Sequence, residues 1–302
     1  MCIGWGGDFI NILELIGNTP LIALKNFKKS NKLKAQIYAK IEYSNPFGSI
    51  KDRAALNVIE VEENNGKISS GSCIIEATSG NMGIALAGIC KIKRYSCKII
   101  LPENMSEARK KLIKHYGAEL ILTPAELGMQ GALKIADKLA MQSPKFFYID
   151  QFNNLNCIYA HQNTTAPEIY QQMNGKIDVI VAGIGTGATV IGLSKYFKAI
   201  NPYTEIIGVL PSSFPHTIQG IGAGFDPPFF RDNSAVDKII YVDSSEAALE
   251  KKNIFLNEGL FVGYSSGAVI AGLKKLLRTN EYENKNIVLI FADGGDRYEN
   301  SR

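Results

Sequence analysis

Short apolar runs alternate with longer amphipathic stretches along the chain from residue 35 onward. Nine runs rich in β-branched residues predict strands at 36–41, 73–77, 98–101, 120–122, 146–149, 179–182, 206–210, 239–242 and 287–291. The longer stretches predict helices at 53–64, 83–92, 107–115, 129–141, 190–200, 246–257 and 268–277. Several strand runs are almost wholly apolar, which is typical of parallel strands covered on both faces. The alternation therefore predicts an α/β fold.

Nine strands are many for one open sheet, and 302 residues are enough for two domains of ordinary size. We therefore expect two open α/β domains. One connection, 212–234, is long and rich in Gly, Pro and Phe. Connections of this length are usually functional, so we expect this one to contribute to a site.

Composition and charge narrow the classes of function. The net charge is +4, but the lysines are dispersed among acidic residues, which disfavours nucleic-acid binding. The five cysteines and three histidines lack metal-ligand spacing, so neither a disulfide framework nor a metal site is indicated. No apolar run reaches membrane-spanning length, and residues 1–8 lack the pattern of a secretory signal. We expect a cytoplasmic protein without a membrane partner.

The segment 45–51, with the sequence NPFGSIK, places a lysine directly after a turn, where a helix is predicted to begin. Ser49 offers a hydroxyl at the start of that helix. A lysine attacks a carbonyl only as the neutral amine, and both burial and the positive end of a helix lower its pKa. Lys51 therefore has the setting of a Schiff-base lysine, although a solvated lysine after a turn would give the same local pattern.

Thr78, Ser79 and Asn81 follow the predicted strand 73–77 and open the next predicted helix. A helix cap needs only one such residue, so this set exceeds what capping requires. Hydroxyl, amide and backbone N–H donors at a helix N-terminus predict a receptor for a carboxylate or a phenolate-like oxygen.

The loop 183–189, GIGTGAT, follows the predicted strand 179–182 and precedes another helix. Its glycines let backbone N–H groups approach a phosphate, and its two threonines add hydroxyl donors. A dinucleotide fingerprint is disfavoured, because Val190 stands at the third glycine position and Pro211 ends the next strand in place of an acid. A nucleotide P-loop is excluded, since no lysine followed by Ser or Thr comes after the loop. A site for a monophosphate remains.

An amine, a monophosphate site and an oxygen-binding loop together predict pyridoxal phosphate as the cofactor. Its ring nitrogen also needs a partner, and Ser265, ahead of a predicted helix, is the candidate. A neutral hydroxyl leaves the ring less protonated than an aspartate would. This partner therefore favours β-elimination chemistry over transamination.

These ordered motifs resemble the cysteine synthase (O-acetylserine sulfhydrylase) family of pyridoxal-phosphate enzymes, in the fold-type-II group that includes cystathionine β-synthase. The similarity runs from IGNTPL at 16–21 to DRY at 296–298 and includes 45–53, 78–83, 101–103, 128–132, 150–152, 164–169, 185–189 and 216–225. The resemblance implies two open twisted α/β domains like those of the tryptophan synthase β-subunit, with the cofactor in the cleft between them. Residues 1–45 and 155–302 would form the larger, cofactor-binding domain, and 46–154 the smaller domain that closes over the substrate.

The resemblance also implies a role for individual residues. Lys51 bonds the cofactor aldehyde and later moves the substrate's α-proton. Asn81 hydrogen-bonds the cofactor's phenolic oxygen, and Ser265 holds the ring nitrogen. The implied cofactor-binding residues are Lys51, Asn81, Gly185, Thr186, Gly187, Ala188, Thr189 and Ser265. The implied substrate-binding residues are Thr78, Ser79, Asn81, Met129, Gln151, Gly220 and Ala223. The implied partners are an amino-acid substrate, a second copy in a homodimer, and the C-terminal peptide of serine acetyltransferase.

Three positions depart from the family pattern. Met82 stands where a threonine is usual, and Ala188 replaces a common glycine of the phosphate loop; neither change removes a group that the chemistry needs. Asp226 stands where relatives carry an aliphatic residue. This acid would repel sulfide or act as a base for another nucleophile, or it is an exposed turn residue before Pro227.

Three functions compete. The first is β-replacement through an aminoacrylate, in which sulfide displaces acetate from O-acetylserine to give cysteine. The second releases hydrogen sulfide from cysteine and adds water, cysteine or homocysteine, giving serine, lanthionine or cystathionine; Asp226 and Met82 motivate it. The third, from another class, is a non-catalytic homologue that binds the cofactor or a peptide. The presence of Lys51, Asn81 and Gln151 disfavours this third function.

Overall fold

Two separate β-sheets organise the chain in a computed structural model that describes residues 10–78, 80–222, 224–225, 227–230 and 234–298. Within these residues the strands are β1 Leu21–Ala23, β2 Gln36–Ile41, β3 Cys73–Ala77, β4 Ser96–Pro102, β5 Glu119–Thr123, β6 Phe146–Tyr148, β7 Val179–Gly183, β8 Glu205–Pro211, β9 Lys238–Val242 and β10 Asn286–Phe291. One sheet has the order β1-β2-β10-β7-β8-β9, and the other has the order β5-β4-β3-β6. All neighbouring strands are parallel except β1 and β2.

Helices cover the sheets. They are α1 Lys25–Ser30, α2 Lys51–Asn64, α3 Asn81–Lys93, α4 Glu107–His115, α5 Gly128–Ala140, α6 Asn156–Ala160, α7 Ala166–Gln172, α8 Ala188–Ile200, α9 Ser244–Glu258 and α10 Tyr264–Leu276. The five residues of β3 are all buried, as are residues 287–291 of β10. Burial on both faces is the reason that these strands read as continuous apolar runs. No helix in the described part of the chain is long and apolar enough to cross a membrane.

The structure confirms the predicted α/β class and all nine predicted strands, whose ends differ by at most two residues from those observed. The seven predicted helices are also present, but α10 begins at Tyr264, four residues earlier than predicted. Among the described strands and α-helices, four were not predicted: β1, α1, α6 and α7. The strands of the four-stranded sheet all fall within 46–154, while the domain boundaries at 45 and 154 stay a prediction.

A buried ion cluster anchors α2, the helix that carries Lys51. The Arg53 guanidinium lies 2.7 Å from Glu42 and 2.6 Å from Glu168, and the Lys40 ammonium lies 2.7 Å from Glu168. Burial alone would raise the pKa of Glu168, but the hydrogen bonds and charges of Arg53 and Lys40 lower it to about 2. The cluster therefore ties α2 to β2 and α7 and fixes the start of α2 relative to the six-stranded sheet.

Candidate active site

A cavity of about 380 Å³ lies where the carboxyl ends of strands from both sheets converge. Its wall includes Thr78 after β3, Gly183 at the end of β7 and Ala292 after β10. Ligands of open α/β sheets bind outside the carboxyl ends of the strands, so this is the expected place for a site. Most of the predicted site residues line it: Lys51, Thr78, Asn81, Met82, Met129, Gln151, Gly185, Thr186, Gly187, Thr189, Gly220 and Ser265.

Four predicted residues are not among these. Ser79, Ala223 and Asp226 lie outside the described residues, so their predicted roles stay predictions. Ala188 is the first residue of α8 and is 3% exposed, but it does not line the cavity. Its backbone N–H donates to the Thr186 hydroxyl at 3.3 Å.

Lys51 is the first residue of α2 and faces the cavity. As predicted, a turn precedes it: Gly48 has a φ of +78°, and the Lys51 backbone N–H donates to the Ser49 hydroxyl at 3.3 Å. Burial lowers the pKa of Lys51 below its ordinary 10.5, and the nearby Asp293 carboxylate opposes this shift in part. A larger fraction of the amine is therefore neutral, as attack on an aldehyde requires.

The loop between β7 and α8 forms a cradle with little room for side chains. A Cβ built on Gly185 would lie 2.8 Å from the Gly220 carbonyl oxygen, and Gly187 has a φ of +91°. Beyond the loop, the Thr189 hydroxyl lies 3.3 Å from Nε2 of the buried His161, whose Nδ1 lies 3.0 Å from the Thr165 hydroxyl. Burial lowers the pKa of His161 well below 6.5, so the ring is neutral and serves to hold Thr189 in place.

Two amide side chains of the cavity wall form hydrogen bonds with protein groups outside the cavity. Asn81 Nδ2 donates to Asp293 at 2.7 Å, and Asn81 Oδ1 accepts from Arg297 at 2.7 Å. Gln151 Nε2 donates to Glu76 at 2.9 Å and to the Ala77 carbonyl oxygen at 3.1 Å. Burial raises the pKa of Glu76 well above 4.5.

Several functional candidates were not predicted. Arg109, from α4, is 1% exposed, lines the cavity and donates to Gln219 of the connection that follows β8. That connection supplies cavity residues from Phe214 to Gly222, in agreement with its predicted functional role. Asp293 lies behind the wall. Its place two residues after a buried strand was the available signal, since polar residues near strand ends are typical of sites in this fold.

The donor set fits pyridoxal phosphate. The cofactor needs an amine for its aldehyde, donors for its phosphate and a partner for its ring nitrogen. Lys51 supplies the amine. The glycine cradle, the α8 N-terminus and the hydroxyls of Thr186 and Thr189 suit a phosphate, and Ser265, 5% exposed at the start of α10, suits the ring nitrogen. A methyl group at Gly185 would close the cradle, which explains why the loop needs glycine there.

The fold and the site define an enzyme of the pyridoxal-phosphate class, with two α/β units and a cleft between them. The chain belongs to the family described as pyridoxal-phosphate dependent enzyme, whose model matches residues 12–293. It is 41% identical over 301 residues to a cysteine synthase of Buchnera aphidicola subsp. Schizaphis graminum, covering 94% of this chain and 92% of that one. The predicted resemblance, fold type and cofactor are thereby confirmed.

Solved structures of related enzymes have the same fold. A hydrogen sulfide-producing enzyme from Fusobacterium nucleatum matches with a TM-score of 0.91 and 37% identity, over 96% of this chain and 100% of that one. A cysteine synthase from Entamoeba histolytica matches with a TM-score of 0.90 and 37% identity, over 99% of this chain and 91% of that one. The structural neighbours thus include more than one activity on the same fold.

Proposed function

We propose that this protein is a cysteine synthase, which replaces the acetate of O-acetylserine by sulfide at the β-carbon. The observation that carries this proposal is that one cavity is lined by Lys51, Asn81, Ser265 and the loop residues Gly183, Gly185, Thr186 and Gly187. The relative with 41% identity is named cysteine synthase, which supports the same activity.

The chain's own groups have distinct tasks. Bound pyridoxal phosphate supplies the electron sink that stabilises negative charge at the substrate's α-carbon. Lys51 Nζ would hold the cofactor aldehyde and, once the substrate amine has displaced it, accept the α-proton. Its lowered pKa suits both tasks, because each needs the neutral amine. Ser265 would hold the ring nitrogen without protonating it fully.

Donors for the substrate carboxylate come from the wall opposite the six-stranded sheet. The Thr78 hydroxyl accepts from the Gly80 N–H at 3.0 Å, which leaves its own hydrogen to donate. Gln151 uses its amide N–H groups for Glu76 and the Ala77 carbonyl in this conformation. For Gln151 to bind a carboxylate as proposed, its amide must leave one of these partners when the substrate enters.

A second candidate is the release of hydrogen sulfide from cysteine. The hydrogen sulfide-producing enzyme from Fusobacterium nucleatum supports it, because it covers 96% of this chain at 37% identity. The same cavity would serve, since both reactions remove a leaving group from the β-carbon. The two functions differ in the leaving group and in the nucleophile that follows.

Steady-state assays with two substrate sets distinguish these functions. We expect a higher kcat/KM with O-acetylserine and sulfide than with cysteine alone. Sulfide release from cysteine well above the turnover of O-acetylserine would replace the first function by the second. If β-substituted alanines cause no spectral change, the protein would instead be the non-catalytic binding homologue. Lys51→Ala is the control, and it should be inactive in both assays.

The proposed partners are a second copy of the chain and the C-terminal peptide of serine acetyltransferase. The homodimer is proposed from the family resemblance. Light scattering should then give twice the mass of the chain. A peptide's terminal carboxylate would use the donors proposed for the substrate, so the peptide should compete with O-acetylserine.

A further inference from the structure

A buried carboxylate lies directly behind the cavity wall. Asp293 follows β10 and is 1% exposed. Its Oδ2 accepts hydrogen bonds from Asn81 Nδ2, at 2.7 Å, and from the Tyr298 hydroxyl, and it lies 4.0 Å from Arg109 Nη2. Its Oδ1 has no hydrogen-bond partner among the residues that the structure describes. Burying a carboxylate with one oxygen unpaired costs free energy, so its presence calls for an explanation. Positioning a neighbouring side chain would provide one.

The other end of the Asn81 amide is held as well. Arg297, 4% exposed, donates from Nη1 to Asn81 Oδ1 at 2.7 Å, and from Nη2 to the Phe47 carbonyl oxygen. The guanidinium fits there because Gly48 has no side chain, since a Cβ at Gly48 would lie 2.4 Å from Nη2. Arg297 thus binds both the Asn81 amide and the turn that leads to Lys51.

These two partners leave the Asn81 amide one orientation. A guanidinium only donates and a carboxylate only accepts, so the carbonyl oxygen must face Arg297 and the nitrogen must face Asp293. Without them the terminal torsion of an asparagine is broad and roughly two-fold. Asn81 donates one of its two Nδ2 hydrogens to Asp293. The second hydrogen remains for a ligand in the cavity, which Asn81 lines.

We propose that Asp293 is a positioning residue that acts through Asn81, together with Arg297, so that the second Nδ2 hydrogen is presented to the phenolic oxygen of pyridoxal phosphate. The inference rests on the proposed function and on the role that the family resemblance implies for Asn81, a hydrogen bond to that oxygen. An amide turned the other way would present its carbonyl oxygen there and repel a phenolate. Asp293 therefore selects the donor that the cofactor needs.

A merely structural role for Asp293 makes different predictions. The Arg109 guanidinium stacks on the Tyr298 ring, with its carbon 4.7 Å from the ring centroid. Asp293 contacts both side chains, so it also joins the turn at Tyr298 to α4. Loss of that contact alone would lower stability without changing the absorption of the bound cofactor. Positioning through Asn81 requires the absorption to change.

The test uses the full chain and two substitutions of Asp293. Asp293→Ala removes the acceptor, and we expect cofactor affinity about tenfold weaker, together with a changed visible absorption band and a changed pH midpoint of that band. Asp293→Asn keeps an oxygen that can accept from Asn81, so it should restore most of the affinity. The control is Asp296→Ala, at an exposed aspartate three residues away. This variant should leave the cofactor affinity and the absorption band unchanged.

A double-mutant cycle then asks whether Asp293 acts through Asn81. In an Asn81→Ala background, Asp293→Ala should cause no further loss of affinity. An equal loss in both backgrounds, or a wild-type spectrum and affinity in Asp293→Ala, would overturn the proposal. If wild-type protein binds no pyridoxal phosphate, the proposed function fails instead.

A second variant keeps the test decisive should Asp293→Ala not fold. In Gly263→Ala the added methyl would lie 2.0 Å from Asp293 Oδ1, so it must displace the carboxylate without removing it. Gly263 has a φ of −74°, which alanine adopts freely, so backbone strain does not contribute. We expect the same spectral change as in Asp293→Ala, and an unchanged spectrum would count against the proposal.

Discussion

Gly185→Ala tests whether the loop 183–187 is the phosphate site. The new methyl would lie 2.8 Å from the Gly220 carbonyl oxygen, where ordinary contact begins at 3.4 Å. Both atoms belong to the cavity wall, so the backbone of one loop must shift by several tenths of an ångström. Such overpacking costs about 1–3 kcal/mol. The free variant can relax by this shift, whereas cofactor binding requires the original geometry, so affinity should fall roughly 5- to 150-fold.

The assay is an equilibrium titration of cofactor-free protein with pyridoxal phosphate, followed by visible absorption. Gly66→Ala is the matched control. Gly66 lies beyond the far end of α2 with a φ of +73°, and no atom lies within 4 Å of its added Cβ. Alanine there strains the backbone and lowers stability but should leave the affinity unchanged. Wild-type affinity in Gly185→Ala would refute the placement of the phosphate in this loop.

Three further predictions concern the surroundings of the site. Because burial lowers the pKa of Lys51, the rate of cofactor capture should rise with pH and level off with a midpoint below 10.5, measured by stopped-flow absorption. Arg53→Met leaves the buried Glu42 without its guanidinium, and the free energy of unfolding in urea should fall by about 3–5 kcal/mol. Gly88→Ala places a methyl 2.2 Å from the Phe47 ring, so thermal unfolding should show a loss of about 1–3 kcal/mol.

The parts of the fold that the sequence predicted are those whose residues are buried in a regular pattern. Parallel strands such as β7 are apolar throughout because both faces are covered, so their runs are visible without any tertiary knowledge. The segment from α6 to α7 was not predicted. A π-helical stretch, His161–Thr165, interrupts it, and Pro167 stands in the first turn of α7, where a missing N–H is tolerated. Packing of α6 against α2 and α8 stabilises this segment, and no local pattern reveals it.

The site shows the same division. Lys51, Thr186 and Ser265 stand at or just before the starts of helices, where their chemistry is unexpected unless a ligand binds there. Asp293 offered only its place after a buried strand, and Arg109 offered no signal in the sequence. Asp293 contacts the site through Asn81 at the start of α3, and Arg109, which lines the cavity itself, donates to Gln219 in the connection after β8. Contacts between segments more than 100 residues apart do not follow from spacing along the chain.

One measurement tests the central claim that Lys51 bonds the cofactor. Protein incubated with pyridoxal phosphate is treated with borohydride, which reduces the bond between the amine and the aldehyde, and is then digested and mapped by mass spectrometry. We predict one cofactor per chain, on the peptide that contains Lys51. Label on any other lysine, or a colourless protein that takes up no label, would contradict the account.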